Sequence, residues 1–303
     1  MSKNIKKIVI GSRASALAKK QVQIFKENIF SQKSKINFEE KFVNTSADKV
    51  IDKKLSDFGN KGLFTKEIDQ EQLLNKIDIS VHSLKDLSYN LCSGLEIVGF
   101  IKREDCRDAI YFPGKKSLVN IKRNALIGTS SFRREVQLKK IRPDLKFKSI
   151  RGNIETRIKK VLEGQYDGTI LAMAGLKRLG IKSNYFPLEI EQMVPAVGQG
   201  IIAIVCREKD QRNTNIVRFV SDQPTKLYAE CERSFLRALQ GDCNTPIGAN
   251  AMLIKKNIIF NYFISCKKGK FFKKEKKTFS MKEAKQKCFE LGLNLKQKFS
   301  FYD

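Results

Sequence analysis

The stretch IKKIVIGSRASALAKKQVQIFKENIF, residues 5–30, switches periodicity part-way along. Residues 5–10 read as a strand, Gly11, Ser12 and Arg13 as a turn, and a helix starts at about Ser15. On that helix Ala18, Val22, Phe25 and Ile29 recur at helical spacing and supply one buried face. The design repeats in LIGTSSFRREVQLKK, residues 126–140: LIG ends a strand, Thr129, Ser130 and Ser131 form the turn, and FRREVQLKK starts a helix. The two turns read as equivalent sites. Strand-like runs alternate with helix-like ones over the first 220 residues, the pattern of a largely parallel sheet flanked by helices.

Beyond residue 220 the pattern changes. Asp222 is placed to cap a helix with Pro224 in its first turn, Leu227, Cys231, Phe235 and Ala238 form one face, and Gly241 is placed to end it. Strand-like runs follow at 249–254 and 257–266, then a KKGK turn at 267–270, a further run, and a terminal helix from about Met281. The expected architecture is a small α+β domain following two α/β domains.

Composition bounds the partners. The 303 residues, 41% of them hydrophobic, suffice for two or three domains with cores of their own. No segment approaches the roughly 18 uninterrupted apolar residues of a membrane span, so no membrane partner is expected. The opening MSKNIKK runs into only Ile8, Val9 and Ile10 before Gly11, which reads as a first strand and not as a secretion signal. Seven cysteines are scattered singly and His82 is the one histidine; no metal site is expected, and the thiols read as reduced, in a cytoplasmic compartment. A net charge of +27 draws anions toward the protein and raises nucleic acid as a partner. Yet the lysines are spread along the chain, with no zinc-finger spacing, basic heptads or RNP-type aromatic strand to organise base contacts, and no nucleic-acid partner is expected. A solvated surface encoded by an A/T-rich gene accounts for much of the charge equally well.

The arginines differ from the lysines because they fall beside the turns. A strand-to-helix turn presents backbone N–H groups and hydroxyls at a positive helix N-terminus, where a carboxylate or phosphate is bound. Capping alone accounts for one such turn. Two copies with arginines attached, Arg13 in the first and Arg133 and Arg134 in the second, favour anion binding, since the guanidinium fork matches a carboxylate.

The strand IDISVHS, 77–83, delivers Ser83, Lys85 and Asp86 to its C-terminal end, where open α/β sheets place ligands. A carboxylate there stabilises a passing cation or moves a proton; alone, the Lys-Asp pair is also an ordinary surface turn. His82 alternates to the face opposite Ser83 and reads as structural. Cys243, on the Gly- and Pro-punctuated loop GDCNTPIG at 241–248, is the best candidate nucleophile of the seven cysteines, with a buried spectator thiol as the open alternative. Cys231 and Cys288 sit in helical patterns and read as core.

Ten segments then occur in order: GSRAS (11–15), NKGLFTKE (60–67), VHSLKDL (81–87), KREDCRDA (102–109), GTSSFRRE (128–135), IRPDL (141–145), IRGNIETR (150–157), ILAMAGLKRLG (170–180), PAVGQG (195–200) and GDCNTPIGA (241–249). Together they resemble the porphobilinogen deaminase family over essentially the whole chain. The resemblance implies two α/β domains similar to type II periplasmic binding proteins, with a central cleft, plus a small α+β C-terminal domain. It implies a discontinuous first domain, 1–101 with 196–219, a second at 102–195 that binds anionic groups of the cofactor, and a third at 220–303 bearing the cofactor cysteine.

The implied activity joins four porphobilinogens, with loss of ammonia, onto a dipyrromethane held by a thioether, here to Cys243, and releases hydroxymethylbilane by hydrolysis. Asp86 matches the catalytic aspartate. Binding of substrate and cofactor carboxylates is implied for Arg13, Ser15, Lys85, Thr129, Ser131, Arg133, Arg134, Arg151, Arg157 and Arg178. Gln21, Lys61, Ser83, Ser130, Gly152 and Gln199 join the binding set, with Phe64 near the chain's growing end. The family expectation is a monomer. Departures are Asp57 where a loop lysine is common, Ser88 in place of a proline, and Asp242 in place of a glycine before Cys243. None removes Asp86 or Cys243, so an active enzyme is expected. The rival from another class is a non-catalytic anion-binding protein of periplasmic-binding type.

Overall fold

Pairing decides where the opening strand stops. In the computed structural model, which describes residues 7–31, 36–45, 65–114, 117–241, 245–266 and 271–299, β1 (Ile8–Arg13) runs on through the segment read as a turn. It does so because β2 (Phe38–Val43) pairs with it in parallel from Ile8 to Arg13, so every backbone group up to Arg13 has a ladder to join. The turn shrinks to Ala14 and Ser15, and α1 (Ala16–Ser31) buries Ala18, Val22, Phe25 and Ile29 as their spacing requires, with Gln21 added to that face.

The chain continues through α2 (Lys66–Leu73), β3 (Ile79–Ser83), a 3-10 turn (Leu84–Asp86), β4 (Leu95–Ile101), β5 (Asp108–Tyr111), β6 (Leu126–Gly128) and α3 (Phe132–Ile141). Next come β7 (Lys146–Lys148), α4 (Ile154–Leu162), β8 (Gly168–Ala172), α5 (Met173–Arg178), β9 (Tyr185–Pro187), β10 (Ile202–Arg207) and α6 (Gln211–Arg218). The last elements are α7 (Gln223–Leu239), β11 (Ile247–Ile254), β12 (Asn257–Ser265), β13 (Phe272–Ser280) and α8 (Ala284–Lys298). The chain forms two compact units, residues 1–103 with 201–226, and residues 104–200 with 227–303.

The first unit holds a sheet of order β2-β1-β3-β10-β4. β1 is parallel to β2 and β3, whereas β10 is antiparallel to β3 and β4, so the sheet is mixed where a largely parallel one was expected. The antiparallel strand arrives from some 100 residues downstream, and local periodicity carries no trace of its direction. Ile8, Ile10, Val22, Phe25, Ile79 and Ile204 form the core between the sheet and α1.

The second unit holds a sheet of order β7-β6-β8-β5-β9, with β6 parallel to its neighbours and β5 antiparallel to its own. β6 thus occupies the place that β1 has in the first sheet, and the repeated strand-turn-helix sequence marks a repeated topology. A third sheet, β11-β12-β13, is a plain antiparallel meander whose core includes Phe235, Phe260, Tyr262 and the fully buried Cys231 and Cys288. Asp222 Oδ1 accepts the Thr225 N–H at 2.9 Å and caps α7 as the sequence predicts. The fold is therefore two mixed α/β sheets of matching strand order with a small α+β C-terminal part.

Candidate active site

The C-terminal ends of β1 and β3 lie side by side, since Ile10 pairs with Ile79 and Gly11 with Ser80. That places Arg13, from the end of β1, in one pocket with Ser83 and with Asp86, the last residue of the 3-10 turn. The backbone fixes this turn: the Leu84 N–H donates to the Ile201 carbonyl at 3.0 Å and the Leu87 N–H to the Leu84 carbonyl at 3.1 Å. Ser15 lines the pocket as well, its Oγ accepting the Ala18 N–H at 3.3 Å; it caps α1 and keeps its own hydroxyl proton for another acceptor. Gln21, nearly fully buried on α1, donates from Nε2 to Ser83 Oγ at 2.7 Å. Lys85 belongs to the same 3-10 turn without lining the pocket.

The structure adds two polar residues to this pocket that sequence reasoning leaves out, His82 and Thr65. Strand alternation does send His82 to the face opposite Ser83: Ser80, on the same face as His82, donates to Gln72 on α2 at 2.7 Å, whereas Ser83 meets α1. The pocket, however, sits at the strand's end and wraps around both faces, so alternation does not exclude His82 from it. Burial first, and then the charge of Arg13, hold the His82 ring down to about 4, and it is neutral near neutral pH. Its Nε2 is buried without a hydrogen-bond partner among the described residues.

At the second turn the outcome is different. Arg133 and Arg134 occupy the first turn of α3 and point inward, 5% and 8% exposed, onto Asp108, which is fully buried at the start of β5. Arg133 Nη1 donates to Asp108 Oδ2 at 2.7 Å and to the Val194 carbonyl at 2.7 Å. Arg134 donates from Nε and Nη2 to Asp108 Oδ1 at 3.0 and 2.7 Å, and from Nη1 to the Ile170 carbonyl at 2.8 Å. Gln199, expected among the binding residues, is buried beside them and donates to Asp108 Oδ1 at 3.0 Å. Burial alone would raise the Asp108 pKa; the Arg133 and Arg134 guanidiniums and the Gln199 hydrogen bond outweigh it and hold the carboxyl far below its usual range. Two cations to one carboxylate leave one uncompensated positive charge.

The hydroxyls of this turn are partly committed. Ser130 Oγ donates to the Ile150 carbonyl at 2.8 Å, Thr129 Oγ1 accepts the Ser131 N–H at 3.2 Å, and Ser131 makes no side-chain cap on α3. The two turns are therefore alike in topology and unlike in use, which corrects their reading as equivalent sites.

Arg151, half-buried, precedes Gly152, whose φ of +106° disfavours any other residue. Asn153 then caps α4 by accepting the Thr156 N–H at 2.8 Å, and Arg157 Nε donates to the Gly152 carbonyl at 2.8 Å. Arg178 donates from Nη2 to the Gly200 carbonyl at 2.7 Å, and burial pushes its guanidinium down to about 10, which leaves it a cation at neutral pH. Lys61, Phe64 and Cys243 lie outside the described residues. Among the described residues no group of three or more His, Cys, Asp or Glu side chains could hold a metal, and no helix is long and apolar enough to cross a membrane. Asp108 is the residue of the second cluster that sequence reasoning misses; the signal available for it is a pair of adjacent arginines on a helix face turned to the sheet, which requires a buried counter-charge.

The donor set suits a carboxylated ligand. Among the described residues Arg133 Nε and Nη2 and the Ser131 hydroxyl have no protein partner beside the uncompensated charge, an arrangement complementary to a carboxylate. The family model described as "Porphobilinogen deaminase, dipyromethane cofactor binding domain" matches residues 8–215, and the one described as "Porphobilinogen deaminase, C-terminal domain" matches residues 226–300. The chain is 44% identical over 253 residues to the porphobilinogen deaminase of Exiguobacterium sibiricum, covering 82% of each chain. It is 40% identical over 291 residues to that of Syntrophomonas wolfei, covering 95% of this chain and 94% of that one. Among solved structures, a methionine-binding protein aligns with 73% of this chain and 92% of its own at 14% identity and a TM-score of 0.42.

Proposed function

The chain belongs to the porphobilinogen deaminase family, and we propose that Asp86 is its catalytic carboxylate and Cys243 the attachment point of its cofactor. The enzyme is a transferase of tetrapyrrole biosynthesis that joins four porphobilinogens, releasing ammonia, and hydrolyses off hydroxymethylbilane. When bound, the dipyrromethane supplies the free pyrrole carbon at which the new chain starts.

The observation that carries the assignment of Asp86 is its place in one pocket with Arg13, Ser15 and Ser83. An ionised carboxylate there stabilises the positive charge that pyrrole nitrogens bear as ammonia leaves and the next bond forms, and it accepts or returns a proton. Arg13 and the hydroxyls of Ser15 and Ser83 suit the acetate and propionate arms of a pyrrole, with Gln21 fixing the Ser83 oxygen. On the second unit, Thr129, Ser130, Ser131, Arg133, Arg134, Arg151, Arg157 and Arg178 are assigned to cofactor and product carboxylates; Arg133 and Arg134 act through the charge that Asp108 leaves uncompensated, and Gln199 and Gly152 act by shaping the loops. Lys61, Lys85 and Phe64 complete the substrate end.

The three-domain division at 1–101 with 196–219, 102–195 and 220–303, a cytoplasmic location and a monomeric state belong to the same reading. Six free cysteines among the described residues support a reducing compartment. The test is the intact mass of the purified protein beside Cys243→Ser, with an acidic colour reaction for pyrroles. A two-pyrrole mass excess confined to the unsubstituted protein is expected. Protein that gains no adduct and releases no ammonia after incubation with porphobilinogen would favour a non-catalytic anion-binding protein.

A further inference from the structure

His82 lies at the end of β3, 5% exposed, and lines the pocket that contains Arg13, Ser15, Ser83 and Asp86. A buried polar atom without a partner is uncommon because its lost hydration is not replaced, and Nε2 of His82 is such an atom among the described residues. The ring stays neutral, so one of its nitrogens carries a lone pair and the other a proton. Donors for a carboxylate are already present in the pocket, in Ser15, whose Oγ accepts the helix cap, and in Ser83, whose Oγ accepts from Gln21. Acceptors for a ring N–H are scarcer: Asp86 is one, and a neutral imidazole is another that adds no second negative charge.

We propose that His82 is a further substrate-contacting residue, its Nε2 accepting a hydrogen bond from a pyrrole N–H in the pocket lined by Arg13, Ser83 and Asp86. The assignment rests on the deaminase reading and extends it. Asp86 answers the charge that a pyrrole nitrogen develops, and His82 orients a neutral pyrrole ring before and after that charge appears.

Because His82 is the one histidine of the chain, both imidazole nitrogen resonances belong to it, and their couplings to the ring protons tell Nε2 from Nδ1. Holoenzyme labelled with ¹⁵N-histidine is titrated with a porphobilinogen analogue lacking the aminomethyl leaving group, and separately with acetate and propionate. The expected result is an unprotonated Nε2 in the free enzyme that shifts with the pyrrole and not with the carboxylates. An Nε2 that carries the proton, a signal indifferent to the pyrrole, or an equal response to the carboxylates alone would overturn the proposal.

His82→Phe removes the acceptor while filling the space, and is expected to lower kcat/KM by about tenfold; His82→Gln, which retains an acceptor, restores most of it. Unaltered kinetics in His82→Phe would also overturn the assignment. Should His82→Phe fail to fold, the titration of the unsubstituted enzyme decides. Intact mass and turnover of the same preparation separate the two levels: a bound primer and normal turnover with a silent histidine leave the deaminase reading standing without this inference, whereas an absent primer with no turnover removes both.

Discussion

The turn after β1 and the turn after β6 occupy the same place in sheets of matching order, yet one opens onto a pocket and the other seals a charge cluster. The difference comes from where the arginine stands. Arg13 is the last residue of a strand, beyond which the chain bends away, so its side chain reaches the strand's open end. Arg133 and Arg134 are the second and third residues of a helix laid on the sheet, and their side chains run back into the protein toward Asp108. A guanidinium held in the interior needs a buried acid, whereas one at a strand end lines the pocket that opens there. Equal local sequence design does not imply equal surroundings: an arginine before the helix start lines a pocket, and one inside the first helical turn meets a buried acid.

The contrast can be tested at its strongest point first. Asp86→Asn, on the open turn's side, is expected to lower turnover about a hundredfold or more while leaving the folding midpoint and the bound pyrroles in place. Near-normal ammonia release would remove Asp86 from the chemistry. Asp108→Ala, on the sealed side, is expected to cost about 3–5 kcal/mol of stability because two buried guanidiniums lose their counter-charge. A denaturation midpoint unmoved by that change would show that the cluster is not the scaffold its burial implies.

Arg151→Ala is the intermediate case, since Arg151 is half-buried beside an unusual glycine and, among the described residues, is not one of the guanidiniums paired with Asp108. It should impair cofactor assembly and elongation by about tenfold, read as the fraction of protein carrying pyrroles and as kcat/KM, with the melting temperature close to unchanged. Unchanged assembly and elongation would refute a carboxylate-binding role.

The smallest effect is one of pH. The folded His82 ring titrates at about 4 and the unfolded one at 6.5, so as pH falls below 6.5 the unfolded chain takes up a proton that the folded chain refuses. The stability contributed by a neutral His82 is complete above 6.5 and declines down to about 4. Asp69, raised by burial to about 6 from 3.8, acts in the opposite sense: its contribution is complete below 3.8 and declines as pH rises through 6. The comparison with His82→Gln isolates the histidine. As pH is lowered from 7 to 4.5 its urea midpoint should gain on that of the unsubstituted protein, which alone loses the histidine contribution while both keep that of Asp69; parallel profiles would show that the ring is not held neutral by burial.

Local grammar made much of this legible in advance. Helical spacing located the buried face of α1, an Asp-x-Pro start located the cap of α7, and ten ordered segments located the family and Asp86. The direction of β10, the end of β1 at Arg13, the inward turn of Arg133 and Arg134 onto Asp108, and the entry of His82 into the pocket were not legible. Each of these depends on groups far apart in sequence, such as Asp108 and Arg133 or β3 and β10, and a pattern of period two or 3.6 records only which face a residue takes, not what waits on that face. The sequence by itself determined the elements, the family and the acid at the strand's end. The tertiary structure alone decided which charges line a pocket and which neutralise one another, because burial and counter-charge are properties of packed surfaces.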